Sequence, residues 1–108
     1  MANTFTRKLS RGIGTTATQV GTYSVTTPTV VIGLSVTNIT GSAITANVYL
    51  NASAANTSLV TNAPISSGAS LAIIGGDQKL VLVSGDSIYV QGSAASSIDC
   101  IMSIMEIT

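Results

Sequence analysis

The side chains in this chain that could do chemistry are few. They are one cysteine (Cys100), four carboxylates (Asp77, Asp86, Asp99 and Glu106), four basic residues (Arg7, Lys8, Arg11 and Lys79) and three tyrosines (Tyr23, Tyr49 and Tyr89). There is no histidine and no tryptophan. Without histidine, neither a Ser-His-Asp nor a Cys-His arrangement can be assembled. A structural zinc site needs several Cys or His ligands, and a single cysteine cannot supply them. Asp77 and Asp86 sit beside glycines in Gly75-Gly76-Asp77 and Ser84-Gly85-Asp86, where an aspartate bonds its own turn backbone. Asp99 and Glu106 lie at odd separation in one apolar alternating run. On a strand they face opposite sides and cannot act as a carboxylate pair. No calcium loop of spaced Asp and Asn ligands is present. Gly75-Gly76 is followed by no Gly-Lys-Ser/Thr and by no helix signal, so it is no phosphate loop. The sequence therefore predicts a protein that is not an enzyme, with no catalytic residues, no metal site and no cofactor.

Binding chemistry is thin as well. Net charge is zero, and the three basic residues near the start are too few for a nucleic-acid arm. Single-stranded nucleic acid calls for aromatic residues interleaved with basic ones, and that pattern is missing. Tyr49 falls on the outward face of its predicted strand. There it suits a subunit contact, the alternative being a sugar platform. Cys100 lies in the run from Ile98 to Ile107 and reads as a small buried hydrophobe. No 18 consecutive apolar residues occur, so no membrane helix is expected. Met1 to Lys8 lack the apolar stretch of a secretory signal. The Asn-x-Ser/Thr triplets at Asn38, Asn51 and Asn56 are then accidents of composition.

The elements that would carry these residues are strands. Apolar residues alternate at period two in nearly every run, and none recurs at helical spacing. The 108 residues suit one domain. The predicted strands are Val20–Val25, Thr29–Ile39, Ile44–Leu50, Ser58–Thr61, Ser70–Ile74, Lys79–Val83, Ser87–Gln91 and Ile98–Ile107. Thr40-Gly41-Ser42-Ala43 reads as a hairpin turn. Strands recurring every 8 to 12 residues predict an all-β fold. It is a single antiparallel β-sandwich of about eight short strands, with the jelly roll among its admissible topologies. The expected core is Ile32, Leu34, Val36, Val48, Leu50, Leu71, Ile73, Leu82, Ile88 and Val90. Residues 1–17 hold little apolar surface and read as an extended N-terminal arm ordered by a neighbour, leaving 18–108 as the sandwich domain.

Two features point to assembly. Charged residues are 7% of the chain, against about 25% in a typical soluble domain, and none lies between Gly12 and Gly76. Exposed strands there lack the charges that usually stop edge pairing. The final strand is also apolar on both faces. Ile98, Cys100, Met102 and Ile104 form one face; Ile101, Met105 and Ile107 form the other. A strand apolar on both faces must be covered on both. The surplus face therefore meets another subunit, or else the N-terminal segment folds back over it. The first alternative makes Tyr49, Ile101, Met105 and Ile107 the expected subunit interface of a homo-oligomer.

The stretch from Asn62 to Leu71 (Asn-Ala-Pro-Ile-Ser-Ser-Gly-Ala-Ser-Leu) and the stretch from Lys79 to Val90, with its Leu80-Val81-Leu82-Val83-Ser84-Gly85-Asp86-Ser87-Ile88-Tyr89-Val90 hairpin pattern, resemble small structural proteins of tailed bacteriophages. The opening Met-Ala-Asn, Arg7-Lys8-Leu9 and the lead into Thr22-Tyr23-Ser24-Val25 add to that resemblance. It implies a virion structural protein assembled in the host cytoplasm, most directly a capsid decoration (cement) protein. The runner-up is a neck, tail or fibre subunit. From outside that class the rival is a small carbohydrate-binding module. The resemblance further implies a trimer on capsid threefold axes. Its partner would be the major capsid protein or another virion protein, without nucleic acid or membrane. Phe5, Arg7, Lys8, Leu9 and Arg11 would be the contacting residues of the arm.

Overall fold

In the computed structural model, described over residues 3–22, 24–52, 55–75 and 79–107, nine strands form two antiparallel sheets. No α-helix occurs among the described residues. Sheet A holds β1 (Asn3–Ile13), β9 (Ile98–Ile107), β3 (Thr29–Asn38) and β6 (Ser70–Ile74) in that order, with β7 (Leu80–Leu82) also paired to β3. Sheet B holds β2 (Thr18–Gln19), β8 (Ser87–Gly92), β4 (Ile44–Ala52) and β5 (Ala55–Ile65). Setting β7 aside, the eight remaining strands pair from the outside inward: β1 with β9, β2 with β8, β3 with β6, β4 with β5. A long hairpin wound so that these pairs fall alternately in two sheets is a jelly roll.

This winding explains two departures from the sequence reading. Thr40-Gly41-Ser42-Ala43 is not a hairpin, because it carries the chain from β3 in sheet A to β4 in sheet B. The Ser84-Gly85-Asp86 turn likewise links β7 in sheet A to β8 in sheet B. A local turn looks the same in sequence whether its strands pair or part. The corner after β3 is tied by Asn38, which is fully buried. Its Nδ2 donates to the carbonyls of Ser42 (2.8 Å) and Ile65 (3.0 Å), while its Oδ1 accepts from the backbone N–H of Thr40 (2.9 Å) and from its hydroxyl (2.7 Å). At the second corner Gly85 takes φ 97°, and the carboxylate of Asp86 accepts from the N–H of Val83 at 2.9 Å. Asp86 thus bonds its own turn, as its flanking residues suggest. Most of the Gly75-Gly76-Asp77 turn lies outside the described residues.

The core lies between the sheets. Leu34, Val36, Val48, Leu82, Ile88 and Val90 are buried there, as expected, and are joined by Ile98, Cys100, Met102 and Ile104 from β9. Leu50, Leu71 and Ile73 are only partly buried against this cluster. Ile32 is outside it: the pairing of β3 with β9 shifts register between Val31 and Gly33. One extra residue reverses which side chains face inward, so Val31 is fully buried and Ile32 is displaced from the face that simple alternation assigns it. Val20–Thr22 form a 3₁₀ turn, where the sequence suggests the start of a strand. Gly21 there has φ 60°, and a Cβ at Gly21 would lie 2.7 Å from the Cβ of Lys8.

The N-terminal segment is extended but does not stand apart. Residues Asn3 to Ser10 pair in unbroken register with Ile107 to Cys100, so β1 is a sheet strand of its own chain. Its partner in the sheet is β9 of the same chain, where the sequence suggests a neighbouring subunit. It occupies the edge of sheet A beside β9 and does not fold over the outer face of that strand.

Candidate assembly surface

The register places the surplus face of β9 in a wider context. Since Ile98, Cys100, Met102 and Ile104 point into the core, Asp99, Ile101, Ser103, Met105 and Ile107 point outward. On β1, Phe5 opposes Met105, Arg7 opposes Ser103 and Leu9 opposes Ile101, so these three also face out. On the other flank Met105 opposes Val30, and Val30 opposes Val81. Phe5, Met105, Val30 and Val81 therefore form one apolar row across four strands. Phe5 is 72% exposed, Val81 63% and Ile101 50%. These three are among the most exposed large apolar side chains in the chain, and they share one face.

The face is graded along the strands. Arg7, Ser103 and Gly33 make the next row, and Leu9, Ile101, Ser35 and Ala72 the row beyond it. The far end is polar: Asp99 opposes Thr37, which opposes Ser70, and the two hydroxyls lie 2.7 Å apart. Asp99 also accepts from the N–H of Gly12 at 3.0 Å. Two shallow hollows lie along β1 and β9. One, of about 390 Å³, is lined by Phe5, Thr6, Arg7, Ile32, Ser103 and Ile104. The smaller, of about 140 Å³, includes Leu9, Arg11, Asp99 and Ile101. The small residues Gly33 and Ser103 leave space in the row beside the protruding Phe5.

The expected interface residues separate into two groups. Ile101, Met105 and Ile107 share the outer face of β9, Ile101 exposed and the others half-buried. Tyr49 lies on the opposite side of the molecule, on the outer face of sheet B. Of the arm residues, Phe5, Arg7 and Leu9 join the outer face of sheet A. Lys8 opposes Met102 and is turned the other way, against Gly21. Arg11 sits where the pairing of β1 is interrupted. Phe5, Val30 and Val81 belong to one row only because three strands distant in sequence align, which no local pattern announces.

The outer face of sheet B differs in kind. Tyr49 and Tyr89 oppose each other on β4 and β8, and their rings stack with centroids 5.6 Å apart and 5° between planes. The two rings overlap in part, which takes up some of the flat surface a sugar ring would need. The surrounding amides hold their own neighbours: Asn47 accepts from the N–H of Asn62 at 2.7 Å, Asn51 donates to Asn56 at 2.7 Å, and Gln91 donates to the carbonyl of Thr15 at 2.8 Å. Among the described residues no group of three His, Cys, Asp or Glu comes together. Cys100 is buried, and desolvation pushes its thiol up to about 12. No described helix is long and apolar enough to cross a membrane.

No family model matches the chain, and no curated protein matches its sequence. Solved structures do share its shape. A Bacillus endospore appendage subunit, from a "novel family of disulfide-linked pili", superposes with a TM-score of 0.55 at 16% identity, over 98% of this chain and 90% of that one. The nucleoplasmin-like N-terminal domain of Drosophila FKBP39 gives 0.49 at 16%, covering 98% and 92%. A chain of infectious bursal disease virus gives 0.49 at 7%, covering 96% of this chain and 32% of that one. At these identities the first likeness establishes a shared fold.

Proposed function

We propose that this chain is a non-enzymatic structural subunit of a large ordered assembly, and that within this class it is a capsid decoration protein of a tailed phage. The observation that carries the reading is the apolar row Phe5–Met105–Val30–Val81 on the outside of sheet A. Exposed contiguous apolar surface on a small domain marks an interaction site. The titratable groups support no alternative chemistry: Asp86 holds a turn, Asp99 accepts from Gly12, and Cys100 is buried.

A pilus subunit is an apt structural neighbour, being a jelly-roll-sized chain that builds a polymer. The disulfide linkage named for those pili is not how this chain would join its neighbours, because its one cysteine is buried with a raised pKa. Contacts between subunits would be non-covalent and made by sheet faces. The phage assignment rests on the motifs in residues 62–71 and 79–90. The carbohydrate-binding reading is weakened by the mutual stacking of Tyr49 and Tyr89.

The test is removal and replacement. Phage particles lacking this protein should release DNA at lower temperature or milder osmotic shock than complete ones. Purified chain added back should restore resistance. Particles equally robust without the protein, with an unchanged head, would refute the cement role. Loss of attachment or of tails with sound heads would place the subunit in the neck, tail or fibre.

A further inference from the structure

We infer that the outer face of sheet A is a twofold contact between two copies of this chain, with the axis running along the strands between β9 and β3. The inference deepens the assembly reading above by naming the partner and the geometry. It rests on that reading only in taking the chain to self-associate.

The size of the face is adequate. Three strands of about ten residues, flanked by the short β6 and β7 end to end along β3, make a patch roughly 33 by 19 Å at standard strand rise and spacing. That is about 600 Å² per copy and about 1,200 Å² in all, above the roughly 1,000 Å² expected of a specific interface. Twisted sheets stack with strands aligned to within about 30° and about 10 Å apart. An isologous contact must also be self-complementary, each residue meeting its counterpart's partner.

A dyad along the strands satisfies this condition. It keeps each cross-strand row facing the same row of the second copy, with the order of strands reversed. Phe5 on β1 then stands over Val81 on β7 of the other copy, and Met105 over Val30. A large side chain meets a small one at both ends of the row. Arg7 faces the β6 side of its neighbour rather than another Arg7, while Arg11 faces the hydroxyl end, where Thr37 and Ser70 lie. A dyad running across the strands would instead set β1 over β1 and bring the two Arg7 side chains together. Threefold order, which the phage resemblance suggests, finds no such matching on this face.

Cross-linking decides it. Phe5→Cys and Val81→Cys are made as separate single variants in a Cys100→Ala background. Within one chain positions 5 and 81 are three strand spacings apart, about 14 Å; facing positions in stacked sheets are about 10 Å apart, beyond the roughly 7 Å Cα separation of a direct disulfide but within reach of a short bis-maleimide. Treated with a short bis-maleimide, each variant alone should run as a monomer on a denaturing gel. An equal mixture should give a covalent dimer of the two. The double variant should give a closed covalent dimer and nothing larger. Ladders from the double variant would mean an open head-to-tail contact and would overturn the dyad. So would no cross-linking in mixtures whose far-UV circular dichroism matches the parent. Should either variant fail to fold, the same mixing with Leu9→Cys and Ala72→Cys singles, again three strand spacings apart in one row, replaces it, with the same outcomes. Failure here leaves the cement role to be judged by the particle experiment, which does not depend on this dyad.

Discussion

Replacing Asn38 with alanine should weaken the fold more than any other polar substitution outside a turn glycine. The side chain is fully buried and makes four hydrogen bonds, to Thr40 (twice), Ser42 and Ile65. Its own backbone would stay paired, since its N–H donates to Ala69 and its carbonyl accepts from Gly68. The loss is therefore local to the corner between the sheets. Ile65 is buried, so its orphaned carbonyl costs about 1–3 kcal/mol. Thr40 and Ser42 lie nearer the surface and can turn to water, so their three bonds fall at the low end of about 0.5–1.5 kcal/mol each. Together these give about 3 kcal/mol, a substantial part of the 5–15 kcal/mol typical of a domain. At this chain length that lowers Tm by roughly 12 °C. Urea titration should show a lower midpoint with an unchanged slope. A loss under about 1 kcal/mol would show that water replaces the amide and that Asn38 does not hold the corner.

Two further substitutions probe other parts of the account. Gly21→Ala forces a side chain onto φ 60° and against the Cβ of Lys8; it should cost about 1–3 kcal/mol by thermal melt. Cys100 has a folded pKa raised by burial from 9.0 to about 12. The folded state then holds a proton that the unfolded state releases above pH 9, so this group's stabilisation is complete below about pH 9 and is lost as pH rises toward 12. Comparison with Cys100→Ala should show the wild type losing more stability over that window, by up to about 1.4 kcal/mol per pH unit. The thiol should react with a disulfide reagent at pH 8 only as the protein unfolds.

The fold class was legible because period-two alternation survives in most strands: Ile44, Ala46 and Val48 point inward just as their spacing indicates. The alternation misled where the backbone adds a residue. Ile32 looks like a core position, and only the shifted register at Val31/Gly33 shows otherwise. Hairpin and corner could not be told apart at Thr40–Ala43, since turn residues describe the bend and not where the next strand goes. The Val20–Val25 run has strand-like residues, yet Gly21 packs on Lys8 in a left-handed conformation that only the tertiary contact explains. Half of the candidate surface was visible in the double-sided pattern of Ile98–Ile107. The other half, Phe5, Val30 and Val81, needed the long-range pairing of β1, β3 and β7. The N-terminal segment reads as an arm because it holds little apolar surface, but its backbone pairing with β9 makes it a strand.

Sedimentation equilibrium on the wild-type chain beside Met105→Asp tests most directly the claim that this protein acts by assembling through the outer face of sheet A. Met105 sits at the middle of the apolar row and is half-buried on the outside of β9, so aspartate there should leave the core intact. A self-associated wild type is expected beside a monomeric variant whose circular dichroism is unchanged. A wild type that remains a 10.8 kDa monomer at its highest soluble concentration, or a variant that associates as strongly as the parent, would contradict it.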